Sequence, residues 1–296
     1  MIQHKHIKQS DLFFEKLFLV CACISIASVI LMIGFIFARG APLLKVVNLW
    51  EFLTSTNWHP TSTTNPSYGI GAFIVGTFYV TAIALVIAVP VGLACGIFLA
   101  ELAGRKLGKF LTATVELLAG IPSVIYGLFG MAFIVPLVRN IGGTGFSILS
   151  AAIILSIMTL PTIINMTEVS LRTIPTSLRE GSYALGGTKW QTIIGVLLPA
   201  GRSGIVAGIV LGMGRAMGET MAVLMVGGNS IQMAKLPTDM VRTLTMNIIT
   251  DMAYATDDHM TALFTTGCVL FIFILILNIT INIAMQSAAK KQEGRE

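Results

Sequence analysis

The sequence predicts an all-α integral membrane protein that crosses the bilayer six times and keeps both ends in the cytoplasm. Three observations predict it. Hydrophobic residues make up 55% of the chain and charged residues 11%, with a mean hydropathy of +0.85, where soluble domains carry roughly 25% charged residues. Six apolar runs reach the length of about 20 residues that a helix needs to cross the hydrocarbon core. Lys and Arg divide unevenly among the joining segments: 13 of the 19 fall in residues 1–16, 101–116, 167–203 and 286–296. The positive-inside rule puts that set in the cytoplasm. The net charge of +5 is thus a topology signal and gives no reason to expect nucleic acid as a partner.

The first run, residues 17–38, is uninterrupted and lacks a small-x-small cleavage site, which predicts a retained anchor rather than a cleaved leader. His4 and His6 belong to a solvated tail, residues 1–16. Outside follow Leu43, Leu44, Val46, Val47, Leu49, Trp50, Phe52 and Leu53, a short interfacial helix, and then the Thr/Ser/Asn/Pro loop of residues 54–67. The second run, residues 70–100, is longer than a bilayer, and Pro90 with its glycines predicts a kink or tilt. Residues 117–138 and 146–166 form the third and fourth spans. The inside loop, residues 168–202, is the longest. Pro175, Thr176 and Ser177 start a helix in it, Leu178, Tyr183, Ala184, Leu185 and Trp190 give that helix an apolar side, and Gly186 with Gly187 stops it. Such a helix on the inner surface suits docking into a groove on another protein. The fifth span is residues 204–226. An outside segment, residues 227–261, carries Asp239, Asp251, Asp257 and Asp258 and is expected to hold a short helix. The sixth span, residues 262–285, precedes a cytoplasmic tail, residues 286–296. The chain is then one transmembrane domain, residues 17–285, between two tails. Cys21, Cys23, Cys95 and Cys268 all fall in spans and read as packed apolar thiols. His59 and His259 stand alone in outside loops and carry no signal.

Arg215 and Glu219 break the fifth run, which is otherwise uncharged. An Arg at mid-membrane costs about 3 kcal/mol on insertion scales and normally faces a protein interior or a water path. At about 100° per residue the two charges share one helix face, one turn apart, with Gly204, Gly208 and Gly212. Glycines at this spacing let a second helix approach closely. An ion pair on such a seam marks a pathway for something charged. Thr220 and nearby glycine amides supply neutral donors. Ser123 after Pro122 and Asn165 near the inner end of the fourth span are weaker pathway candidates, as is Glu116 at the inner edge of the third.

The inside loop reads Glu180-Gly181-Ser182-x-x-x-Gly186, then nine residues, then Val196-x-Leu198-Pro199. It resembles the E-A-A-x3-G-x9-I-x-L-P signature of ABC-transporter permeases, with every spacing intact and with Gly181, Ser182 and Val196 as small or isosteric departures. The resemblance implies a type I ABC importer permease fold. It also implies that residues 180–186, with Tyr183, Ala184 and Leu185, and Leu198 and Pro199 form the coupling element that two copies of a cytoplasmic ATPase engage. No G-x-x-x-x-G-K-[ST] phosphate loop occurs in the chain. The chain is therefore expected to be a transport subunit without enzymatic activity or bound cofactor, ATP being used by the partner.

The segment Gly214-Arg215-Ala216-Met217-Gly218-Glu219-Thr220-Met221-Ala222-Val223 is similar to the signature of the phosphate-uptake permeases, the PstC/PstA family, and closer to the PstC form. Ile121-Pro122-Ser123-Val124-Ile125-Tyr126-Gly127, Ala88-Val89-Pro90-Val91-Gly92 and Leu99-Ala100-Glu101-Leu102 are similar to the same family. That resemblance implies a bacterial inner-membrane complex with a homologous PstA-like second permease and an extracytoplasmic phosphate-binding protein. It also places Arg215 and Glu219 on the phosphate path. The residues themselves leave three alternatives open: another oxyanion such as sulfate, molybdate or phosphonate; an ion-coupled carrier with Glu219 as proton site; or a membrane scaffold.

Overall fold

The computed structural model describes the backbone of residues 2–293 and the side chains of residues 13–283. The terminal tails beyond those side chains, with His4 and His6, lie outside the described residues. In chain order the helices begin with α1 (Ile2–Gly40), α2 (Leu49–Thr54) and α3 (Gly71–Ile97), the last extended by a π turn, Phe98–Leu102. Next come α4 (Arg105–Gly120), α5 (Ser123–Phe129), a π turn (Gly130–Ile134) and α6 (Val135–Arg139). The long α7 (Ile148–Arg172), the short α8 (Thr176–Ala184) and α9 (Lys189–Thr192) follow. A third π turn, Ile193–Leu197, leads into α10 (Leu198–Gly218), α11 (Met221–Gly227), α12 (Leu244–Asp251) and α13 (Asp257–Glu293). Among the described residues five helices are long and apolar enough to span a membrane, and the bent pair from Arg105 to Arg139, counted as one broken span, brings the number to six.

Helix α7 is the central mast. Two-thirds of its apolar window is buried, against none in α1. Small residues on both neighbours let it be approached closely. From α3, a Cβ added at Gly92 would lie 2.7 Å from Ile163 Cγ2, and one at Gly96 2.6 Å from Thr167 Cβ. From α10, a Cβ at Gly208 would lie 2.5 Å from Met166 Cβ, and Gly212 sits against Ile163. The predicted glycine seam therefore exists, and α7 fills it. Helix α1 stays peripheral, edge-on to α13 through Phe35–Phe264 and Phe37–Phe271, with ring centroids 5.8 and 6.2 Å apart.

Three expectations are corrected. The third span is no straight helix: its inner half, α4, meets the outer half at 93°. The break falls at Ile121 and Pro122, both extended, with ψ of 128° and 140°, because a residue before proline is pushed out of the α region. The helix of the fifth span begins at Lys189 rather than at residue 204 and breaks at Gly218, after which α11 continues the apolar run. Only residues 173–188 remain between membrane helices, so Leu198 and Pro199 open α10 instead of lying in a loop. Finally, Leu43 and Phe52 of the predicted interfacial helix are fully buried. They pack with Trp58, Tyr68, Phe73 and Leu244 under a hairpin of β1 (Trp58–His59) and β2 (Ser67–Tyr68), which pairs Trp58 with Tyr68.

Of the cysteines, Cys268 is buried and Cys95 half-buried, while Cys21 and Cys23 are exposed on α1 rather than packed. The expected short helix in the outer segment is α12.

Candidate functional site

Arg215 lies on the last turn of α10, near mid-span. One turn before it, Gly212 rests against Ile163 and Thr159, close to the middle of α7. Gly208, Gly212 and Ala216 are buried on the α7 side, whereas Leu211, Arg215 and Gly218, on the adjoining face, are exposed. Among the described residues no hydrogen bond or ion pair holds the Arg215 guanidinium, which stands on the side of the bundle that carries α5 and Tyr126. Tyr126 is itself buried and donates to Leu118 O at 2.8 Å, across the break in the third span.

The expected Arg215–Glu219 pair does not form. Gly218 ends α10, and Glu219 is extended, with φ −70° and ψ 134°. The helical register that puts the two on one face stops between them. Two glycines with open space where a side chain would stand, Gly214 and Gly218, weaken this last turn. The Glu219 carboxylate turns forward instead and accepts the Ala222 N–H at 3.2 Å, meeting one of the free donors that open α11. Its carbonyl accepts from Thr245 Oγ1 at 3.0 Å, which pins the break to α12. Thr220 donates weakly to Gly218 O at 3.4 Å. Arg215, Glu219 and Thr220 thus share a helix interruption at mid-span, with the cation free to meet an anion.

Two weaker candidates divide. Ser123 opens α5 at the break, half-buried. Asn165 is on α7, and its buried Oδ1 has no hydrogen-bond partner among the described residues. Glu116 is exposed and lines a cleft of about 600 Å³ between α4 and α7, together with Arg105, Lys109, Thr112 and Glu168.

At the opposite end from the outer hairpin, α8 is the amphipathic helix expected there. None of its residues is buried. Leu178, Tyr183 and Trp190 are exposed, and Leu185 is 93% exposed. Gly186 terminates α8 with φ +80°, a left-handed cap natural to glycine, while Gly187 N–H donates to Ser182 O at 3.0 Å. Ser182 also bonds Thr192 Oγ1 at 2.9 Å, and Thr188 with Gln191 forms the capping box that starts α9. Glu180 and Gly181 stand on the free surface; a Cβ at Gly181 would touch nothing.

Sequence reasoning passed over two buried charge clusters. Arg179 of α8 reaches Glu101 in the π turn after α3, with Nη2–Oε1 at 2.6 Å. Outside, Asp251 gathers Trp58 Nε1 at 2.8 Å and Arg242 Nη1 and His259 Nε2 at 3.3 Å each. His259 is therefore no isolated loop residue: it is buried against Trp58. Burial lowers the Arg242 pKa and Asp251 opposes that. Glu101 could have been noticed as the lone carboxylate ending an apolar run; the Asp251 cluster joins residues 193 positions apart and leaves no local signal.

Residues 92–293 match the family model described as the binding-protein-dependent transport system inner membrane component. The chain belongs to this family. It is a multi-pass inner-membrane transport permease. Among curated relatives it is 43% identical over 267 residues to a probable ABC transporter permease protein, YqgH, of Bacillus subtilis, covering 87% of this chain and 86% of the relative. It is 35% identical over 311 residues to the phosphate transport system permease protein PstC of Xylella fastidiosa, covering 96% and 93%. The MetNI methionine ABC transporter in an inward-facing crystal form superposes with TM-score 0.60 at 22% identity, over 74% of this chain and 95% of that one. This agrees with the type I importer fold expected of the permease.

Proposed function

We propose that this permease is the PstC-type subunit of an ATP-driven importer of inorganic phosphate, and that Arg215, Glu219 and Thr220 lie on the phosphate path. The relatives named PstC support the cargo. The observation that carries the site is Arg215: a guanidinium near mid-span, exposed at the edge of the α10 glycine seam, with no partner among the described residues. A cation that costs this much to insert is kept where an anion or a second chain meets it. Guanidinium offers two parallel N–H donors to two oxygens of phosphate, which lysine does not. Glu219, held one residue past the helix end and bonded to the Ala222 N–H, leaves the guanidinium free for phosphate.

The same reading assigns the partners. A homologous PstA-like permease covers the Arg215 face and completes the path. Two copies of a cytoplasmic ATPase take the exposed α8 surface and use the ATP, no cofactor binding to this chain. An extracytoplasmic phosphate-binding protein delivers cargo to the outer face, on the side of the membrane away from the bacterial cytoplasm. Lipid surrounds the assembly, and nucleic acid has no part in it. The test is ATP-dependent uptake of radiolabelled phosphate in cells whose only phosphate importer contains this chain. Arg215→Gln, at equal membrane levels, is expected to lower uptake by at least about 100-fold, with sulfate and molybdate failing to compete in the wild type. Normal transport by Arg215→Gln would make the residue structural, and competition by sulfate would change the cargo.

A further inference from the structure

Helix α8 buries none of its own residues, yet one of its side chains enters the membrane body. The Arg179 guanidinium is bonded on every side. Nη2 donates to Glu101 Oε1 at 2.6 Å and to Leu171 O at 2.7 Å, Nη1 donates to Ile174 O at 2.8 Å, and Nε reaches Glu101 Oε1 at 3.2 Å. The side chains of Arg179 and Glu101 are only 17% and 8% exposed. Three elements therefore meet on one cation: α8 itself, the π turn that ends the second span, and the carbonyls at the end of α7. Cations suit that last position, where unpaired carbonyls carry the negative end of the helix dipole.

We propose that Arg179 is a positioning residue of transport, whose buried ion pair with Glu101 makes the coupling helix and the inner end of the second span move as one body. This rests on the reading of the chain as an ATP-driven permease. The reason is mechanical. An exposed helix held only by its surface contacts would rock against the bundle when an ATPase pushes it. A planar fork bonded to a buried carboxylate and to two carbonyls resists both sliding and rotation. Removing either partner leaves the other charge buried and uncompensated, so the joint is lost rather than loosened. A second link runs parallel to it: Arg172, paired with Glu168 at 2.8 Å, donates to Leu99 O at 3.0 Å. The π turn is thus bonded to α7 and α8 together, whereas the outer part of the second span is bonded to the outer segments, Thr77 Oγ1 accepting the Leu244 N–H at 3.0 Å.

The experiment uses the full complex of both permeases and the ATPase in proteoliposomes, with phosphate entry and ATP hydrolysis measured on the same vesicles. Arg179→Gln and Glu101→Gln are each expected to raise the ATP hydrolysed per phosphate moved by about tenfold while the hydrolysis rate holds, and the exchanged pair Arg179→Glu with Glu101→Arg to recover most of the coupling. Spin labels at positions 181 and 102 give a readout that does not depend on the cargo. Their separation should stay single and constant through ATP binding in the wild type, and spread into several distances in Arg179→Gln. An unchanged, single distance in Arg179→Gln overturns the proposal, as does equal loss of hydrolysis and uptake in an assembled complex. Wild-type vesicles that move no phosphate would instead overturn the cargo, and the label distances would still decide the joint.

Discussion

At the scale of single residues, the glycines of α10 carry the packing and Arg215 carries the charge. Gly208 has no room for a side chain, its added Cβ standing 2.5 Å from Met166 Cβ. Gly208→Leu is therefore expected to push α10 from α7 and to destabilise the protein by about 1–3 kcal/mol, as overpacking does. A lower thermal midpoint in detergent would show it, while the same change at Gly214, where nothing lies nearby, should leave the midpoint in place. Arg215 differs in kind. Its removal is expected to spare stability and abolish transport, because no described residue depends on it for a bond. The sequence placed both features on the right helix. It misjudged Glu219, since helical periodicity assumes a continuous helix and the chain ends one at Gly218.

At the scale of elements, the outer segment closes α7 in a way the sequence does not announce. The first N–H groups of α7 lack helical partners, and backbone carbonyls of the 228–243 loop accept them: Ile148 N–H donates to Asp239 O and Leu149 N–H to Pro237 O, at 2.9 and 2.8 Å. Asp239 in turn accepts the Lys235 and Leu236 amides on Oδ2 at 2.9 Å each. Those backbone bonds, Leu236 first, hold its pKa below the ordinary carboxylate value. A depressed folded pKa contributes stability that is present above the unfolded value near 4 and is lost as pH falls through the folded one. Protection of the Ile148 and Leu149 amides, corrected for intrinsic exchange, should fall severalfold on acidification below about pH 4. In Asp239→Ala it should be low already at neutral pH and indifferent to acid.

At the scale of the whole molecule, the uncovered surfaces say which faces meet partners. Helix α7 is largely buried, but α8 presents Leu178, Tyr183 and Leu185 to solvent, and a contiguous apolar patch at a polar end of a membrane protein marks an interaction site. Leu185→Asp is expected to cut copurification of the ATPase by about tenfold without lowering the amount of permease in the membrane, since a charge in a buried apolar contact costs more than 1.4 kcal/mol. Unchanged copurification would place the ATPase contact elsewhere on the chain.

The sequence by itself determined what depends on local pattern: the number of spans, the predicted sidedness, the amphipathic α8 with its Gly186 stop, and the glycine seam of α10. Each follows from hydropathy, charge count or a helical repeat, all of which are read within a few turns of chain. Tertiary structure alone decided where helices break and which charges meet. The 93° bend at Pro122 and the interruption at Glu219 sit within runs whose hydropathy is continuous, because apolar side chains report burial and are silent on direction. Arg179 with Glu101, and Asp251 with Trp58, Arg242 and His259, join residues 78 and up to 193 positions apart. Such pairs are chosen by how helices stack, and the cost of burying a charge unpaired is what made the stacking bring them together.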